Sequence, residues 1–189
     1  MKNPKKTPLY PRHLASRAKM INFSGWYMPL EYKSSLEEAK MTRLHCGIFD
    51  VSHMGQLVLR GEASENFLQE LTPNDVSLLE PGEMQYNLFL NERGGVIDDF
   101  IVSRMQIGFL CIVNASNKDK VLDWLCSRKK KNVDIEDLSS DSALISVQGP
   151  ESYYVVGKVF GDRASCLKYM SFIEMTDPLK VLISRSGYT

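Results

Sequence analysis

The stretch Asn91-Glu92-Arg93-Gly94-Gly95-Val96-Ile97-Asp98-Asp99-Phe100-Ile101-Val102 decides how this chain is read. Gly94-Gly95 supplies a turn, and the apolar residues after it read as a strand. Two adjacent carboxylates interrupt that strand. Aspartate is depleted in strands, and an unpaired buried charge is costly. Side chains alternate along a strand, which puts Val96, Asp98, Phe100 and Val102 on one face and Ile97, Asp99 and Ile101 on the other. Each face then carries one carboxylate between apolar neighbours. Broken local rules of this kind tend to mark functional sites. The bland alternative is that one Asp is solvated at a sheet edge while the other caps a loop.

Working outward, Met84–Leu90 reads as the strand before the Gly94-Gly95 turn. Phe109–Val113 reads as the antiparallel neighbour on the other side. Gln56–Arg60 is a further strand. Residues 63–71 predict a short helix with Phe67, Leu68 and Leu71 on one face, and Asn117 caps a second helix running to Lys131 with Val121, Leu122 and Leu125 inward. Arg128–Lys131 ends that helix, where cations complement the dipole. A short strand is expected at Asp134–Glu136, a clearer one at Ala143–Val147, a helix over Glu151–Val159 and a strand at Val181–Ile183. Residues 34–45 read as a helix with Ser35 and Glu38 as a capping box and Gly47 as its stop. The first thirty residues, rich in Pro and aromatics, lack a helical period and read as extended segments and turns. Antiparallel hairpins mixed with helices give an α+β class, antiparallel sheets with flanking helices.

The chain has 189 residues, with 23 basic against 23 acidic side chains. That balance argues against a general nucleic-acid or anionic-membrane binder. No apolar run is long enough to span a bilayer, and no signal-type segment follows the basic start. The four cysteines are scattered, so they form neither a zinc motif nor a disulfide framework. Cys111 and Cys126 read as packed thiols, which fits a reducing, cytoplasmic setting. His13, His45 and His53 lack metal-ligand spacing, no metal is expected, and none is assigned a catalytic role. No P-loop or dinucleotide fingerprint occurs.

Several collinear segments carry a resemblance: Lys6-Thr7-Pro8-Leu9-Tyr10, residues 23–30, Gly47-Ile48-Phe49-Asp50-Val51-Ser52-His53-Met54-Gly55, residues 91–102, Val113-Asn114-Ala115-Ser116, Val147-Gln148-Gly149-Pro150 and Arg185-Ser186-Gly187-Tyr188-Thr189. Together they resemble the T protein, or aminomethyltransferase, family of the glycine cleavage system. The family's chains are about twice this long, so the resemblance implies an N-terminal half, apparently truncated, of a folate-binding aminomethyltransferase-type fold. It implies transfer of a one-carbon unit from the aminomethyl-dihydrolipoyl arm of lipoylated H protein to tetrahydrofolate. Ammonia is released and 5,10-methylenetetrahydrofolate is formed in a bacterial cytoplasm.

Carried over by position, the resemblance gives Asp98 the catalytic role, beside N5 of the folate. Met54, Tyr86, Asn114 and Tyr188 become cofactor-binding positions. The aminomethyl carbon passes through a cationic iminium, and a fixed carboxylate stabilises such a charge. The expected layout is a first subdomain from residues 1–52 and 142–189, with residues 53–141 inserted and carrying the Asp98 hairpin. Beyond Thr189 the family's motif continues into a glutamate that contacts folate, so the 189 residues alone are expected to be inactive. Two other readings share the fold, a non-catalytic folate-binding or scaffold module and a folate-dependent demethylase. Relatives in iron–sulfur assembly carry a cysteine where Gly187 stands, which disfavours that branch.

Overall fold

A computed structural model of the chain describes residues 3–177 and 179–187. The elements in chain order are β1 (Lys5–Lys6), α1 (Tyr10–Ala15), β2 (Lys19–Phe23), β3 (Trp26–Glu31), α2 (Ser35–Leu44), β4 (Gly47–Asp50), β5 (Gly55–Arg60) and α3 (Ser64–Leu71). A 3-10 turn at Val76–Leu78 leads to β6 (Met84–Leu90), β7 (Val96–Arg104), β8 (Phe109–Val113), α4 (Lys118–Arg128) and β9 (Asp134–Asp137). The order ends with β10 (Ile145–Gln148), α5 (Ser152–Phe160), α6 (Asp162–Ser165), β11 (Ser171–Met175) and β12 (Val181–Arg185). The class is mixed α and β with mainly antiparallel sheets, as the hairpin pattern implies; the short β1 runs parallel to β3.

Two compact units form. The first takes residues up to His53 with Asp141–Cys166. It holds the three-stranded sheet β1-β3-β2 and the antiparallel pair β4–β10. Its polar centre is Asp50, whose carboxylate accepts from Thr7 Oγ1 at 2.6 Å, His13 Nε2 at 2.8 Å and the Ser52 amide at 2.9 Å. Asp50 only accepts, so Nε2 carries the ring proton, and in the neutral ring Nδ1 accepts from the Tyr32 hydroxyl at 2.8 Å.

Three local readings change in this unit. Tyr10–Ala15 is helical with Pro11 in its first turn. At six residues it is too short to display a period, while Pro is well suited to that position. Ser34, not Ser35, caps α2, and its hydroxyl accepts from the Glu37 amide at 3.4 Å. Glu38 still reaches back, accepting from the amides of Tyr32, Lys33 and Ser34. The helix stops at His45, and Gly47 instead opens β4.

The second unit takes Met54–Ser140 and the residues from Leu167. Its sheet is antiparallel throughout, in the order β6-β7-β8-β5-β9. Phe67 and Leu68 of α3 and Val121 and Leu125 of α4 pack with Leu57, Leu59, Phe89, Phe100, Val102, Phe109 and Val113 into one core. Phe89 and Phe100 stack at 3.9 Å between ring centroids. The grouping of residues 167–187 differs from the expected 1–52 plus 142–189 assignment. The β11–β12 hairpin bonds to the start of β6, with Met84 donating to Met170 and Phe172 to Gly82, and those ladder bonds join it to the second unit.

A bulge distorts the decisive stretch. Leu90 pairs with Val96 and Phe89 with Asp98, which leaves Ile97 as the extra residue. Ile97 and Asp98 are therefore both buried, while Val96, expected to share the face of Asp98, is 58% exposed. From Asp98 onward the expected alternation holds, with Phe100 and Val102 buried beside it in sequence register and Asp99 exposed.

Candidate active site

Hairpin geometry sets the site. Tyr86 faces Ile101 across β6–β7 and Leu88 faces Asp99, so Tyr86 and Asp99 are diagonal neighbours within reach of a long side chain. The Tyr86 hydroxyl donates to Asp99 Oδ2 at 3.1 Å. The β6 backbone there is held by Asn74, whose Nδ2 donates to the Tyr86 carbonyl at 2.9 Å. Asn74 is in turn tied to the fully buried Asn87, which accepts from its amide and donates to its carbonyl.

Asn114 follows β8 directly. Its Nδ2 donates to Asp98 Oδ1 and to Asp99 Oδ1, each at 2.9 Å, and approaches the Asp99 carbonyl at 3.1 Å. Its backbone amide donates to Asp98 Oδ2 at 2.9 Å. A third group, Asn117 Nδ2, donates to Asp98 Oδ1 at 2.7 Å. Asn117 does occupy the N-cap of α4, as its position implies, but its side chain makes no cap bond.

The carboxylates thus divide. Asp98 is 4% exposed, and both its oxygens are taken by amide donors. Asp99 is exposed and shares the face of Tyr86. Among the described residues neither takes part in an ion pair. Two adjacent anions without a protein cation make a site suited to a cationic or electron-poor partner. Desolvation, the hydrogen bond to Asp99 and the charges of Asp99 and Asp98 together hold the Tyr86 phenol above its ordinary value of 10.0.

Of the expected site residues, Tyr86 and Asn114 both bond to Asp99, and Asn114 also bonds to Asp98. Tyr86 meets Asp99 rather than Asp98. Met54 is half-buried and immediately precedes Gly55, which pairs with Val113 beside Asn114. That glycine admits α4 closely: a Cβ there would come within 2.5 Å of Val113 and 2.6 Å of Lys118 side-chain atoms. Tyr188 lies outside the described residues. Asn117 was legible only as a helix cap, because its link to Asp98 is tertiary. Cys111 is buried, and burial pushes its thiol up; Cys126 is exposed on α4 rather than packed. Among the described residues no group of His, Cys, Asp and Glu is arranged to hold a metal ion, and no helix is long and apolar enough to cross a membrane.

A model of the GCVT N-terminal domain matches residues 9–189. The chain belongs to that family. Within it, the aminomethyltransferase of Natranaerobius thermophilus is 38% identical over 192 residues, covering 100% of this chain and 53% of that protein. The aminomethyltransferase of Aquifex aeolicus is 43% identical, covering 97% of this chain and 49% of its own length. Among solved structures, the glycine cleavage system aminomethyltransferase T from Bartonella henselae superposes with a TM-score of 0.89 at 35% identity, covering 98% of this chain and 51% of that one. A heterotetrameric sarcosine oxidase from Corynebacterium sp. U-96 shares the fold at 16% identity and a TM-score of 0.55. This GCVT-domain chain spans about half the length of the curated relatives it matches.

Proposed function

We propose that this chain serves a tetrahydrofolate-dependent aminomethyltransferase of glycine cleavage in the cytoplasm. Its one-carbon donor is the aminomethyl-dihydrolipoyl arm of H protein, and its acceptor is tetrahydrofolate. The carbon–nitrogen bond to ammonia and the carbon–sulfur bond to lipoate break. Bonds from the same carbon to N5 and N10 of folate form, giving 5,10-methylenetetrahydrofolate. The carbon passes through a cationic iminium, so the reaction needs fixed negative charge near it.

One observation carries this reading: among the described residues the Asp98–Asp99 pair has no cation in an ion pair with it, and Asp99 is open on the side where Tyr86 and Asn114 converge. Asp99 therefore takes the electrostatic role that the resemblance gave to Asp98. Asp98, enclosed by Asn114 and Asn117, supports the site from behind. Tyr86 offers a ring edge and a hydroxyl to the pteridine, and Asn114 an amide. Most of the rate enhancement then comes from positioning two large substrates at one carbon. Met54 and Tyr188 are proposed to complete the folate contacts.

The test is product formation. A family-length polypeptide carrying these 189 residues, given aminomethylated H protein and tetrahydrofolate, should release ammonia and 5,10-methylenetetrahydrofolate in equal amounts. Ammonia without the folate product would reject the folate assignment.

A further inference from the structure

Three amide donors converge on the Asp98 carboxylate: the backbone and side chain of Asn114, and the side chain of Asn117. An ionised carboxylate only accepts, so the NH₂ side of both asparagine amides must face it. For Asn114 this fixes the flip. Its Nδ2 is turned to the two aspartates, and its Oδ1 has no hydrogen-bond partner among the described residues. Asn117 leaves its own helix uncapped by its side chain in order to make the shortest of these bonds, at 2.7 Å.

We propose that Asp98 and Asn117 form a buried clamp that locks the Asn114 amide in one orientation, with Nδ2 turned to the two aspartates and Oδ1 held as a fixed acceptor. Asn117 and Asp98 are then positioning residues, and Asn114 selects a ligand that presents an N–H donor. Reduced pterins qualify through ring N–H groups that their oxidised forms lack. The selectivity rests on the functional reading above, but the clamp is a property of the chain alone.

Side-chain amide NMR of the 189-residue chain tests it near neutral pH. The Asn114 Nδ2 protons, bonded to two carboxylates, should resonate downfield of those of an exposed asparagine such as Asn22. Asn117→Asp sets acceptor against acceptor, and Asn117→Ala removes the donor. Both should move the Asn114 signals toward the Asn22 position, while the Leu57 and Val113 methyl signals report an intact core. Asn117→Gln keeps an amide donor and should hold them nearer the wild-type position than Asn117→Ala does. Asn114 signals that stay in place in both Asn117→Asp and Asn117→Ala, or that move as far in Asn117→Gln as in Asn117→Ala, would overturn the clamp. Clamp signals as expected, with a family-length polypeptide whose Tyr86 signals ignore tetrahydrofolate, would uphold the clamp and reject the folate reading instead.

Discussion

Asp98 and Asp99 adjoin in sequence and lie on opposite faces of β7, the first enclosed at 4% exposure and the second open beside Tyr86. Backbone alternation alone separates them, and the core covered by α3 and α4 decides which one is enclosed. The two carboxylates therefore differ in what their removal should do.

Asp98→Asn should cost stability. An amide at that position offers one acceptor where three donors converge, leaving a buried donor unsatisfied at a cost of about 1–3 kcal/mol. Urea unfolding of the 189-residue chain measures this. Asp99→Asn, at an exposed position, should leave the midpoint within about 0.5 kcal/mol of wild type.

Tyr86 should report the charge beside it. Its phenol is held above 10.0 by desolvation first, then by the bond to Asp99 and the charges of Asp99 and Asp98. Asp99→Asn removes both a hydrogen bond and a charge, so the titration must move down. Ultraviolet difference titration against a Tyr86→Phe background isolates this one phenol, and an unchanged or raised value would contradict the geometry.

The first unit should weaken in acid through Asp50. Burial raises its carboxyl, but the bonds from His13, Ser52 and Thr7 outweigh that and hold it below the ordinary 3.8. With the folded value depressed, the stabilisation is present above 3.8 and is lost as pH falls through the lower folded value. Unfolding midpoints followed down through the carboxylate range should fall more steeply for wild type than for Asp50→Asn.

Gly149 should not tolerate a side chain. Its φ of +110° is a conformation L residues rarely adopt, and a Cβ would lie 2.4 Å from the Thr42 carbonyl oxygen and 2.5 Å from that of His45. Gly149→Ala should therefore destabilise the chain by at least about 1–3 kcal/mol in urea unfolding.

The sheet was legible where one physical signal acted alone. Alternation located β6, β7 and β8, and helical spacing put Val121 and Leu125 of α4 into the core. It failed where a tertiary or backbone effect intervened. The bulge at Ile97 turned Val96 outward, which no period reveals. Ser34 and Ser35 are equivalent cap candidates until the chain entering α2 is placed. Asn117 reads as a cap because its bond to Asp98 spans 19 residues. The resemblance gave the catalytic role to Asp98, and nothing in the sequence checks that choice: both faces of the strand carry a carboxylate, and only the helices packed on one of them break the symmetry.

The most direct test is the turnover of Asp99→Asn in a family-length polypeptide, assayed with aminomethylated H protein and tetrahydrofolate. The amide keeps the shape and removes the charge that is proposed to face the iminium carbon. The account predicts a loss of roughly 10²–10³-fold in kcat with the unfolding midpoint preserved. Near-normal turnover of Asp99→Asn would contradict it and remove this carboxylate from the chemistry.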